Sequence, residues 1–368
     1  MKFNNKKVIL LSSLVVSSQA FAVNVFKNDT TSVDISGAFL MDYWQPVHAF
    51  EDHDFNTSRS TLGFGIGHQF GNGWSGDVKF EWDNITSAPT DASGEKSDDQ
   101  FRTRLGYFSV HHEEYGSLRF GKQYSAYHDV AGYMDNLIVF DPDATPIFSD
   151  TKDGGFMGTA RGDDLVTYRN SFENLNISAQ YGFKENAPGG KLMAPTSAEL
   201  ARESNYALAV SYDFDFGLSL GATHLVNKVE TTDASLNLDP TDEQKITTLA
   251  AKYSYQAFKV TAAYTDGTKA HETGYLAYSD NFYADATGID AYAEYYFAIG
   301  LRPYVYLSNV DFDDGDIQGE RSIYSMGLSY HAAPNFIISG EVRKVEEEGL
   351  SAGDQDDTIS GITVIYAF

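Results

Sequence analysis

The chain has no cysteine, so no disulfide staples it, and a catalytic thiol or a thiolate-bound metal is excluded. It is also short of bases: 26 Lys and Arg stand against 52 Asp and Glu. The resulting formal charge of −26 disfavours nucleic-acid binding, which needs a basic face toward phosphates. Past residue 22 there is no run of about 20 apolar residues, so no transmembrane helix is expected. Tryptophan is scarce, with 3 residues, whereas Tyr and Phe number 24 and 25. A slightly polar average hydropathy with many aromatics leaves two classes open. One is a soluble all-β protein. The other is a membrane-spanning barrel whose apolar outside hides a polar inside.

The first 22 residues have the layout of a secretory signal peptide. Lys2, Lys6 and Lys7 make a basic start, Val8 to Val16 an apolar stretch broken by Ser12 and Ser13, and Ala20-Phe21-Ala22 a small-residue cleavage site. The expected organisation is therefore a signal over 1–22 and one domain over 23–368. Without the signal the chain is three charges more negative than −26.

The pattern that repeats is period two. In Trp74-Ser-Gly-Asp-Val-Lys-Phe-Glu-Trp82 one face reads Trp74, Gly76, Val78, Phe80 and Trp82, and the other Ser75, Asp77, Lys79 and Glu81. Residues i and i+2 share a face in a strand, so this segment separates apolar from charged. The same split recurs over 175–181, 205–214 and 248–255. In the closing segment, Ile362, Val364, Tyr366 and Phe368 stand opposite Gly361, Thr363, Ile365 and Ala367.

Connections alternate in length. Gly71-Asn72-Gly73, Asp215-Phe216-Gly217, Gln256-Ala257, Ala298-Ile299-Gly300 and Ala332-Ala333-Pro334 read as short turns. Between them lie long polar segments, 84–100, 123–163, 184–203, 227–244, 267–287, 310–321 and 345–357. Short turns at one end and long loops at the other are the mark of a transmembrane barrel, with about sixteen strands of about 8–12 residues. Tyr366 and Phe368 suit the half-wet edge of a membrane.

Three stretches resemble the trimeric general-diffusion porins of enteric and related bacteria. The first is Arg102-Thr-Arg104-Leu-Gly-Tyr with Tyr115-Gly-Ser-Leu-Arg-Phe-Gly121. The second is Gly132-Tyr-Met-Asp-Asn-Leu137, leading to Arg161-Gly-Asp-Asp-Leu-Val-Thr-Tyr-Arg-Asn170. The third is Gly300-Leu-Arg-Pro-Tyr-Val-Tyr306 with the closing Asp356-Asp-Thr and Tyr-Ala-Phe368. The resemblance implies an all-β fold: a sixteen-stranded antiparallel barrel whose long third loop, about 123–163, folds into the lumen. It also implies a homotrimer of the cell outer membrane, in contact with lipopolysaccharide and delivered by barrel-assembly machinery that reads the terminal Phe368. Its function would be passive diffusion of small hydrophilic solutes and ions, without reaction, cofactor or metal. The site is then an electric field across a constriction, with bases on the wall and acids on the loop.

Matched to the family, Arg102, Arg104 and Arg161 are wall bases and Asp135 a loop acid. Three positions depart from the pattern. Ala38 stands where a first-strand lysine is expected. Thr61 stands at a second-strand arginine position, where Arg59 on the same face would substitute. Val139 replaces a loop acid, with Asp141 or Asp143 as replacements. The acidic balance points to a preference for cations.

Two other functions stay open: a substrate-specific channel, for instance for oligosaccharides, with Tyr124, Tyr127, Tyr133, Phe140 and Phe148 as an aromatic slide, and a surface adhesin or phage receptor. Arg161-Gly162-Asp163 spells an adhesion tripeptide. Asp311 to Glu320 has a calcium-loop look, but its glycine is one place early. His111 and His112 are adjacent in a strand and point to opposite faces, so they do not share a metal. No constellation of an outer-membrane protease or phospholipase is present.

Overall fold

The computed structural model describes residues 22–45, 55–83, 86, 101–148, 153–155, 157–186, 200–231, 243–273, 283–315, 317–350 and 354–368. The signal expected over 1–22 lies outside the described residues apart from Ala22, as do most of 84–100 and 184–203.

The chain runs through β1 (Val23–Lys27), β2 (Thr31–Gln45), β3 (Phe55–Asn56), β4 (Thr61–Gly71), β5 (Trp74–Asp83), β6 (Arg102–His112) and β7 (Gly116–Tyr124). A single helical turn, α1 (His128–Ala131), precedes β8 (Arg161–Phe172), β9 (Leu175–Gly182), β10 (Glu185–Asn186), β11 (Leu200–Asp213) and β12 (Leu218–Thr231). Then come β13 (Glu243–Tyr255), β14 (Phe258–Glu272), β15 (Tyr283–Tyr295), β16 (Leu301–Asp314), β17 (Ile317–Ala333), β18 (Phe336–Glu348) and β19 (Gln355–Ala367).

Strands that follow one another pair antiparallel, and β19 returns to pair with β2, from Ala367 opposite Ala38 to Ser360 opposite Gln45. The sheet is therefore closed. Three short segments extend wall positions and add none. β3 and β4 both pair with β2, and β9 and β10 both pair with β11. β1 covers β2 over Ser32 to Ile35, beyond the end of β19. The nineteen segments thus form the sixteen-stranded wall.

Closure has a local cause at Gly37. Its backbone N–H donates to the Phe368 carbonyl at 2.8 Å and its carbonyl accepts from the Phe368 N–H at 2.9 Å. A Cβ on Gly37 would lie 2.6 Å from the Phe368 ring and 2.7 Å from the Thr61 carbonyl oxygen. The terminal aromatic thus seats where a side chain is missing.

Alternation decides which residues face out. In β5, Lys79, Glu81 and Asp83 are buried, and Trp74 and Phe80 are exposed. Leu208, Leu249, Leu307 and Met326 stand outward with half or more of their surface bare. A continuous apolar belt of this kind is stable only against lipid. Four of the five short connections are as expected, and at Gly71-Asn72-Gly73 all three residues have positive φ, the backbone that a tight hairpin demands.

Two expectations are corrected. Segments 310–321 and 345–357 are largely strand: β16 runs through Asp314, β17 starts at Ile317 and β18 runs to Glu348. Alternation continues there, with Val310 and Phe312 buried inward and Asp311 and Asp313 exposed outward. The calcium-loop look of 311–320 is thus two strand ends, with Asp311 paired to Glu320. The turn read at Ala332 to Pro334 falls at Pro334-Asn335.

The core is formed by the connection between β7 and β8. Tyr127, Val130, Met134 and Ile147 pack on Ala207, Ala209, Leu225, Ile246, Ala250 and Ala263. These wall residues have the inward parity, and alanines there leave room for the loop.

Candidate functional site

The bases expected on the wall are brought to its inner side, and Arg59, Arg102 and Arg104 each hold a carboxylate there. Arg59, in the break between β3 and β4, reaches Asp42 through Nε at 2.8 Å. Its Nη2 donates to the Ile138 carbonyl and to Thr363 Oγ1, both at 3.2 Å. Arg102 grips Asp83 with two bonds, at 2.9 and 2.7 Å. Arg104 donates to Glu81 at 2.7 Å. A bulge helps to aim the last two. Glu81 pairs with Leu105 and Trp82 with Thr103, so Arg104 is the extra residue and the strand is re-aimed there.

Arg161, at the start of β8, is buried at 4% exposure. Its guanidinium stands 5.2 Å over the Phe148 ring and 5.9 Å over Tyr124. Among the described residues its Nε has no hydrogen-bond partner. Ala38 packs with Ile337, Ile365 and Ala367, so the missing base is replaced by apolar contact. Thr61 is inward and buried.

The three loop acids do not gather opposite Arg102 and Arg104. Asp135 lies 3.5 Å from His128 Nε2. Asp143 accepts from Arg321 Nε at 2.9 Å, on the far side of the barrel. Asp141 offers its carbonyl to Arg343 at 2.9 Å, and its carboxylate supports the charge of Arg59.

A loop carboxylate that acts on Arg161 and Arg102 was missed by sequence reasoning. Asp153 is 3% exposed and stands 3.4 Å from Lys122 Nζ. Burial opposes its charge, but Lys122, Arg161 and Arg102 outweigh that and hold the carboxyl below its ordinary range. The signal was the Gly-Gly that follows. A Cβ on Gly155 would lie 2.5 Å from Asp163 Oδ2 and 2.8 Å from Asp153 Oδ1. Also missed was the far wall, where Arg343 pairs with Glu341 at 3.0 Å and Arg321 with Glu347 at 3.3 Å. The alternation Glu341, Arg343, Val345, Glu347 carried that signal.

Segment 126–148 bonds to the inward residues of many strands. Tyr127 Oη meets Thr248 at 2.9 Å, Asn136 donates to Thr261 at 3.2 Å, and the Ala144 and Thr145 amides donate to Asp290 at 3.3 and 2.7 Å. The loop aromatics lie beneath cations: Lys252 stands 4.6 Å over Tyr133 and Arg343 4.9 Å over Phe140.

A closed barrel with an apolar outside and a charged inside defines an outer-membrane barrel protein. The profile of Gram-negative porins matches residues 11–350, and the chain belongs to that family. It is 29% identical to outer membrane porin N of Escherichia coli K12 over 227 residues, 59% of this chain. The chain spans 56% of that relative's length, under two thirds of it. With outer membrane porin C of Enterobacter cloacae it is 23% identical over 98% of each chain. The fold is also that of Salmonella typhi OmpF solved with daunomycin, with a TM-score of 0.72 at 18% identity, covering 93% of this chain and 99% of that one.

Proposed function

We propose that the chain, as a homotrimer, forms a water-filled channel for passive diffusion of small hydrophilic solutes and ions, with no chemical step. The observation that carries this is the closed wall with a charged inner face, against which segment 126–148 is packed. Field and steric narrowing at that level then select solutes. In this reading residues 1–22 are a removed signal, Phe368 is the assembly signal, and lipopolysaccharide surrounds the outer rim. Arg59, Arg102, Arg104 and Arg161 form the basic side of the constriction, with Asp153 as the loop acid acting on Arg102 and Arg161.

The channel prefers cations. The motivation is twofold: the chain is strongly acidic, and Arg59, Arg102 and Arg104 are each offset by a wall carboxylate. Reconstitution into a planar bilayer tests this. Stepwise conductance and a cation-signed reversal potential in a salt gradient are expected. An absence of steps refutes the channel, and an anion sign refutes the preference.

The aromatic-slide reading is less well supported. Tyr127 is fully buried and bonded to Thr248, and Phe148 lies under Arg161. The adhesion tripeptide begins at the buried Arg161 and Gly162, which a receptor does not reach.

A further inference from the structure

We infer that the inner wall of β13–β17, next to the short-turn rim, carries a binding subsite for a small oxyanion, built from Lys252, Lys259, Arg302, Ser254 and His331. This rests on the channel reading above.

Register places these residues in one run across five neighbouring strands. Lys259 is directly opposite Ser254 on β13 and Glu294 on β15. Lys252 is opposite Thr261, which makes it a diagonal neighbour of Lys259. Glu294 is opposite Tyr304, two residues from Arg302, and Arg302 is opposite Ser329, two residues from His331. Diagonal neighbours on one face lie about 7–8 Å apart, a spacing that an oxyanion with its hydrogen bonds bridges.

Charge balance sets this run apart from the carboxylate-paired arginines of the inner wall. Elsewhere on the inner wall Arg59, Arg102, Arg104, Arg321 and Arg343 each hold a carboxylate. Here Glu294 lies 3.3 Å from Arg302 Nε and also acts on Lys259, and Lys252 feels only the more distant Asp213. Among the described residues, neither Lys252 nor Lys259 has a carboxylate within ion-pair distance. Glu294 is already taken by the Tyr292 hydroxyl at 2.5 Å.

Hydrogen-bonding capacity is the independent observation. Arg302 is 5% exposed, yet among the described residues its Nη2 has no hydrogen-bond partner and its Nε only the ion pair with Glu294, and Ser254 Oγ and His331 Nε2 have no hydrogen-bond partner either. Buried donors are rarely left so. Several unmatched donors beside excess positive charge fit a ligand that accepts several bonds and carries negative charge. The loop roofs the run: Tyr133 lies under Lys252 and Asn136 Oδ1 accepts from Lys259.

The test uses the full trimer in a planar bilayer in dilute KCl, with inorganic phosphate as probe. Phosphate is expected to block the single-channel current. Arg302→Gln and Lys259→Gln are each expected to raise the half-blocking concentration by about tenfold or more, the worth of one charged hydrogen bond. Ser254→Ala changes no charge, so it is expected to weaken block while leaving the KCl reversal potential unmoved. Diffuse charge alone does not produce that split. Phosphate that fails to block a conducting channel overturns the inference, as does equal block in Lys259→Gln and Ser254→Ala. A protein that gives no conductance in KCl instead refutes the channel itself.

Discussion

Replacing Glu81 by Gln should turn the channel toward anions. Glu81 accepts from Arg104 at 2.7 Å and lies 3.9 Å from Lys79 Nζ. Gln keeps the shape and an acceptor but removes one negative charge. A unit charge about 5 Å from a passing ion in water is worth about 0.8 kcal/mol. A Debye length of about 10 Å in 0.1 M salt lowers this to about 0.5 kcal/mol. That changes the local concentration of either ion about 2.3-fold, in opposite directions for cation and anion. The permeability ratio should therefore fall about fivefold. Reversal potential in a KCl gradient reads the ratio. In 1 M salt the shift should shrink, because screening acts within about 3 Å. A folded, conducting Glu81→Gln channel with an unchanged ratio at low salt would refute the idea that Glu81 neutralises the basic wall.

Gly37→Val should impair closure, because its Cβ would meet both the Phe368 ring and the Thr61 carbonyl. Overpacking of this kind costs about 1–3 kcal/mol, read as a smaller heat-modifiable fraction on gels; an unchanged fraction counts against the closure argument. Arg343→Met removes the partner of Glu341 and the bond to the Asp141 carbonyl. Breaking a buried pair costs about 3–5 kcal/mol, so a lower Tm and a larger unit conductance are expected. Asp153 has a depressed pKa, so its contribution is full above about 3.9, the unperturbed value, and is lost as pH falls through the folded value. Channel closing rates should therefore change only in acid, and Asp153→Asn should flatten that dependence.

The barrel itself was legible from pattern. Outward Val78 and Phe80 against inward Lys79 and Glu81 is information held within two residues, and a closed wall repeats it. Composition misled at 311–313, where the outward Asp311 and Asp313 resembled a loop. The strand persists there because the inward Val310 and Phe312 remain buried. The inward aim of Arg102 and Arg104 followed from the family resemblance, and the bulge at Thr103 to Leu105 that brings both inward was not legible.

Pairing was not legible, because it joins residues far apart in sequence. Arg59 meets Asp42 and touches Ile138 and Thr363, and Asp143 meets Arg321. Local alternation by itself determined which side of the wall each residue faces, since strand geometry sends neighbours to opposite faces. Only the tertiary structure decided which charges are offset and which stay open, because that depends on the register of distant strands and the path of one long loop.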